Sequence, residues 1–142
     1  MVMLMRRFIS AGFIERFFYH WQLLLVFLNF IPMGNGMNRS LTGNKVGVFR
    51  LDYLIHFAMI LFFAIIWGVG KHRNVNWFAK HETLKYCTLL ILTGIGLELL
   101  QLALPWRTFN PVDMLFNLIG AASAVAIIIV SQLIANLKRV KR

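Results

Sequence analysis

The stretch GLELLQLALPWRTFNPVDMLFNLIG, residues 96–120, reads as the end of one apolar helix, a turn marked by Pro105 and Pro111, and the start of another. Glu98, Gln101, Arg107, Asp113 and Asn117 stand among its leucines. A carboxylate and two carboxamides in such company must be satisfied by partners or used for chemistry.

The rest of the chain has the same character. It has 142 residues, of which 59% are hydrophobic and 14% charged, with mean hydropathy +0.70. A soluble domain carries about 25% charged residues. The composition therefore predicts an all-α membrane protein, folded as a single domain over residues 1–142. Four apolar runs, at about 17–33, 52–70, 84–104 and 113–135, are each close to the ~20 residues a helix needs to cross ~30 Å of hydrocarbon. Four transmembrane helices are expected. The first is the weakest, since it carries His20, Gln22 and Asn29 and ends at Pro32. Before it, RRFISAGFIERFF at 6–18 places Ile9, Phe13 and Phe17 at helical spacing, with Arg6, Arg7 and Arg16 elsewhere. That pattern predicts an N-terminal interfacial amphipathic segment, not a cleaved signal peptide.

The net charge of +10 invites a nucleic-acid reading, but the basic residues flank the apolar runs and line no polar surface with stacking aromatics. No nucleic acid is expected. Arg6, Arg7, Arg16, Lys71, Arg73, Lys80, Lys85, Lys138, Arg139, Lys141 and Arg142 fall on one side of the predicted topology, and Arg39, Lys45, Arg50 and Arg107 on the other. The bias places both termini in the cytoplasm and the Gly- and Asn-rich segment at 34–47 outside. Cys87, the single cysteine, excludes an intrachain disulfide and a CxxC site and reads as a packing residue.

This topology gathers the unusual polar residues. Asp52 and His56 lie four apart at the start of the second run, Glu98 and Gln101 three apart near the end of the third, and Asp113 and Asn117 four apart at the start of the fourth. All fall in the outer third of the bilayer, with Arg107 in the turn between the last two helices. Some members have ordinary structural reasons. Asn110 suits an N-cap, Pro111 the first helical position and Asp113 the third. Asp52 suits the positive end of a helix dipole. Glu98 has no local reason, and an acidic side chain costs at least ~2.5 kcal/mol near the bilayer centre and less near the interface, so a partner or a water-filled pocket is expected. Arg107, across the proline turn, is the nearest cation by sequence and could close the hairpin as a bidentate ion pair. Gly120 and Ala124 form a small-xxx-small pair, and Gly94 lies one turn from Glu98, so these three read as helix-packing positions.

The set Asp52, His56, Glu98, Gln101, Pro105, Arg107, Asp113, Asn117 and Gly120 resembles the pattern of the VanZ-like family of small bacterial membrane proteins, named after a teicoplanin-resistance protein. The resemblance covers about residues 50–130 by motif and the first span by architecture only. Tyr53 departs from it, since the family commonly has Lys there beside the Asp. The resemblance implies a four-span helical fold in the bacterial cytoplasmic (inner) membrane, as a multi-pass protein of the cell envelope.

The function expected from these features is non-catalytic. An outer-face polar pocket made by Asp52, His56, Glu98, Gln101, Arg107, Asp113 and Asn117 would bind membrane lipid head groups or a glycopeptide-like amphiphilic ligand at the outer leaflet. The alternative is a membrane enzyme acting on a lipid-linked envelope substrate through Glu98, His56 and Asp113. No nucleophile is evident for it, since Ser123 lies deeper and Cys87 at the opposite face. A third reading is a small proton-coupled transporter, for which an oligomer would be needed to line a path. No cofactor motif is present. Asp52, His56, Glu98 and Asp113 include acceptable metal-ligand types, but their spacing is not diagnostic and assigns no metal.

Overall fold

The computed structural model describes residues 10–31, 43–107 and 109–140. Among these, four helices run in chain order: α1 (Ala11–Phe30), α2 (Leu51–His72), α3 (Glu82–Gln101) and α4 (Pro111–Val140). The expectation of an all-α chain holds apart from one small ribbon, β1 (Lys45–Val46) paired antiparallel with β2 (Phe49–Arg50). Gly47 makes its turn possible, with a φ of +63° that a side chain would strain.

Three helices, α2, α3 and α4 from Pro111 to Lys138, are long and apolar enough to cross a membrane. α1 is as long as α3 but is diluted by Glu15, Arg16, His20, Gln22 and Asn29 and is not among them. The expected interfacial segment does not form a separate element in the described residues. Residues 11–18 are the first turns of α1 itself, capped by Ser10, whose hydroxyl accepts from the Phe13 N–H at 3.1 Å. Ile14 and Phe18 are buried in the bundle. Residues 6–9, Pro32 and most of the Gly- and Asn-rich segment lie outside the described residues.

The helices alternate, so one end of the bundle collects the end of α1, the start of α2, the end of α3 and the start of α4. The opposite end is aromatic. There Phe18, Phe63, Trp67, Trp77 and Tyr86 pack ring on ring at centroid distances from 4.7 to 6.5 Å. Tyr86 donates to the Phe63 carbonyl at 2.9 Å. Lys71 pairs with Glu82 and lies 5.1 Å from the centre of the Trp67 ring. Glu82 also accepts the Trp77 N–H at 2.7 Å, tying the α2–α3 connection back to the helix that follows it. Cys87 is buried at this end, as a packing residue would be.

Trp77 reaches its place because Gly70 has no side chain. A Cβ there would sit 2.2 Å from Trp77 Cζ2. Gly70→Ala is expected to displace the indole and cost about 1–3 kcal/mol, the usual range for overpacking a tight core. Thermal unfolding in detergent checks this, and a variant melting with the wild type would show that the ring moves freely.

α2 and α4 form the most extensive helix pair, followed by α3 with α4. Gly120 and Ala124 make this approach close, as expected of a small-xxx-small pair. A Cβ on Gly120 would stand 2.6 Å from the Phe57 carbonyl oxygen, and Ala124 is fully buried. Gly94 meets the Asn117 backbone oxygen at an ordinary 3.4 Å from its notional Cβ, so α3 also packs on α4 where the polar residues are.

Candidate functional site

At the polar end, Glu98 and Asn117 are wholly buried, and Gln101 and Asn29 nearly so. Each is placed by its helix. Asn110 caps α4 as expected, its Oδ1 accepting the Val112 N–H at 3.0 Å, and Pro111 opens the helix. Asn117 then falls under α3, where its Nδ2 donates to Glu98 Oε1 at 3.1 Å. Asp113, one turn earlier, faces His56 on α2, with Oδ2 3.8 Å from Nε2. His56 Nδ1 lies 3.5 Å from Glu98 Oε1. Three helices thus contribute one imidazole and two carboxylates to a single cluster. Both contacts of the imidazole are longer than a hydrogen bond of ordinary strength.

Several atoms here have no hydrogen-bond partner: His56 Nδ1, Glu98 Oε2, Asp113 Oδ1 and Asn117 Oδ1. Buried polar atoms are nearly always paired, so four unmet ones in a single cluster are unusual. The His56 and Asp113 side chains keep 17% and 13% of their surface accessible, whereas Glu98 keeps none. The cluster therefore has a base at Glu98 and Asn117 and an edge at His56 and Asp113.

The other expected members are engaged elsewhere. Arg107 forms no ion pair with Glu98. Its guanidinium donates to the backbone carbonyls of Leu28 at 2.9 Å, Asn29 at 3.3 Å and Ile31 at 3.1 Å. The last turn of a helix leaves carbonyls without intrahelical donors and bears partial negative charge, which suits an arginine fork. Trp106 adds a bond from Nε1 to the Phe30 carbonyl at 3.2 Å. Burial lowers the Arg107 pKa from the usual arginine value, and Glu98 opposes that shift through space.

Gln101 shares its helix with Glu98 but turns to α1, donating from Nε2 to Asn29 Oδ1 at 2.9 Å. Asn29 in turn donates to the Leu25 carbonyl at 2.9 Å. Asp52 is held by a partner outside the cluster. It pairs with Arg50, whose Nε donates to Oδ1 at 3.1 Å and whose Nη2 bonds Oδ2. That pair raises the Arg50 pKa. Arg50 also lies 4.5 Å above the Tyr53 ring, which stacks on Phe116 at 5.1 Å. The cation beside Asp52 therefore comes from the residue two before it, and Tyr53 holds that cation by its face.

Asn29 and Arg50 were missed as members of this layer. Asn29 was legible only as a blemish in a weak span, and Arg50 only as a topogenic charge. The chemically open set thus shrinks to His56, Glu98, Asp113 and Asn117. Comparison of the chain with protein-family models, with curated proteins and with solved structures finds no match.

Proposed function

We propose that this chain is a multi-pass membrane protein of the bacterial cell envelope, of VanZ-like type, that binds the head group of an amphiphile at the cluster of His56, Glu98, Asp113 and Asn117. α1 serves as the fourth span. In support, it runs the length of α2 and α3, from Phe18 among the aromatic rings to Asn29 on Gln101, and Trp21 donates to the Met59 carbonyl at 3.3 Å. The polar end faces outward and both termini are cytoplasmic, on the distribution of Lys and Arg.

The observation that carries the binding role is the set of unmet polar atoms beneath an accessible edge. A purely structural clasp gains stability by pairing such atoms, whereas a binding site keeps them for a ligand. With Arg107 and Arg50 both engaged, the cluster is acidic. Its ligand must bring positive charge, as the amine of an ethanolamine head group does.

Native mass spectrometry of the detergent-purified protein tests this. Phosphatidylethanolamine is expected to stay bound to the wild type. Glu98→Gln and Asp113→Asn are each expected to weaken it by about tenfold or more, equivalent to ~1.4 kcal/mol. Equal lipid retention by these variants and the wild type would remove the cluster from the binding role.

A further inference from the structure

The same cluster has a composition that an amine does not need. An ammonium is held well by carboxylates and carbonyls alone, yet here an imidazole lies between the two carboxylates, 3.5 Å from Glu98 at Nδ1 and 3.8 Å from Asp113 at Nε2, and one of these ring nitrogens can serve an ion as ligand. One ligand atom from each of His56, Glu98 and Asp113 lies within 4.8 Å of the other two. A divalent first-row ion binds imidazole nitrogen and carboxylate oxygen at about 2.0–2.2 Å, so its ligand atoms lie no more than ~4.4 Å apart. The three side chains reach that spacing by closing a few tenths of an ångström, which rotamer adjustment supplies.

A second observation concerns the unmet atoms of the same residues. Glu98 and Asn117 are wholly buried, yet Glu98 Oε2 and Asn117 Oδ1 have no hydrogen-bond partner. Asn117 Oδ1 belongs to the carboxamide whose Nδ2 meets Glu98 Oε1 at 3.1 Å. It is thus a further neutral oxygen at the border of the cluster. We propose that His56, Glu98 and Asp113, with the Asn117 carboxamide beside them, bind a divalent first-row metal ion of the Zn2+ or Mn2+ class at the polar end of the bundle.

The ligand set distinguishes this ion from its competitors. A mixed nitrogen and oxygen site suits Zn2+ or Mn2+, whereas Mg2+ and Ca2+ favour oxygen alone. Two carboxylates balance the charge of a divalent ion, which makes the buried position tolerable. Three protein side chains also leave coordination positions open toward the accessible edge of His56 and Asp113. With the ion bound the cluster is no longer anionic, so these positions would take the phosphate oxygens of a lipid head group in place of its amine. This deepens the head-group reading and rests on it for that outer ligand alone. The ion itself depends only on the four residues named.

The test uses the full chain, stripped with a chelator and held in lipid-free detergent. Equilibrium dialysis against Zn2+ and against Mn2+, with metal and protein both quantified, is expected to give one ion per chain, with Mg2+ failing to compete. Glu98→Gln and Asp113→Asn keep side-chain shape and are each expected to weaken uptake by on the order of tenfold or more. The double variant is expected to abolish it, while Glu15→Gln, at an exposed position, leaves it unchanged. Co2+ provides a reading that folding alone does not move, because its visible absorption reports the imidazole ligand and is expected to change in His56→Gln. Circular dichroism confirms that each variant keeps its helices. Absence of stoichiometric uptake by the wild type overturns the proposal, as does uptake indifferent to the double variant. If metal uptake fails while phosphatidylethanolamine still binds in a Glu98-dependent manner, the ion is refuted and the amine reading stands alone.

Discussion

Gly120→Val is expected to be the most damaging single substitution in the bundle. The new Cβ would stand 2.6 Å from the Phe57 carbonyl oxygen and 3.3 Å from Ile60 Cβ. The first of these is backbone in the second turn of α2 and cannot swing aside, so α2 and α4 must separate along their most extensive contact. That separation loosens the packing of Ala121, Ala124 and Ile128, all fully buried, and costs about 3 kcal/mol or more. It also pulls His56 and Asp113 apart, since they face each other across the same interface. Thermal or denaturant unfolding in detergent reads the effect. The other glycines calibrate it. Gly94→Ala meets only an ordinary contact at 3.4 Å, and Gly96→Ala meets nothing within 4 Å. The expected order of loss is therefore Gly120, then Gly94, then Gly96, whose replacement can stabilise slightly by restricting the unfolded chain. Equal stability of Gly120→Val and Gly96→Ala would refute the close α2–α4 approach.

Arg107→Ala carries the second large effect, and it falls on α1. The substitution removes donors from the carbonyls of Leu28, Asn29 and Ile31. Hydrogen bonds from a charged donor contribute about 1.5–3 kcal/mol each before solvent exposure is discounted. Arg107 is half-buried, so a total of about 2 kcal/mol is expected. Hydrogen exchange is expected to rise at the end of α1 and to leave the aromatic end unchanged. Arg107→Lys rescues little, because an ammonium lacks the planar fork that reaches several carbonyls at once. A double-mutant cycle separates this role from ion pairing with Glu98. Glu98→Gln and Arg107→Ala are expected to combine with less coupling than Glu98→Gln and Asn117→Leu, since the second pair shares a hydrogen bond. The reverse order would reinstate Arg107 as the counterion of Glu98.

The three apolar helices were legible because long uninterrupted hydrophobic runs leave few alternatives. Their limits moved only by a few residues, with α2 at Leu51–His72 instead of 52–70 and α4 extended to Val140. The first run moved further, to Ala11–Phe30. The stretch before it read as a separate interfacial segment, but Ser10 caps upstream and the helix runs through. The layer of polar residues was legible from spacing, whereas its partners were not. Sequence distance made Arg107 the natural mate of Glu98. In three dimensions the free carbonyls at the end of α1 are the better acceptors, and only the packing of α1 against α3 brings them within reach. The partner of Asp52 was missed for the converse reason: helix spacing pointed along α2 to His56, while Arg50, in the strand just before α2, holds the carboxylate.

The pairing of Glu98 with Asn117 also has a temporal side. The carboxylate emerges from the ribosome about twenty residues before the carboxamide that binds it, and in hydrocarbon a lone acidic group is expensive. α3 gains its polar partner only when α4 arrives, so the two are best released into the lipid together as a hairpin. The same logic reaches back to α1, whose Asn29 waits for Gln101. Each polar group thus finds its partner on a helix made later, Asn29 on α3 and Glu98 on α4.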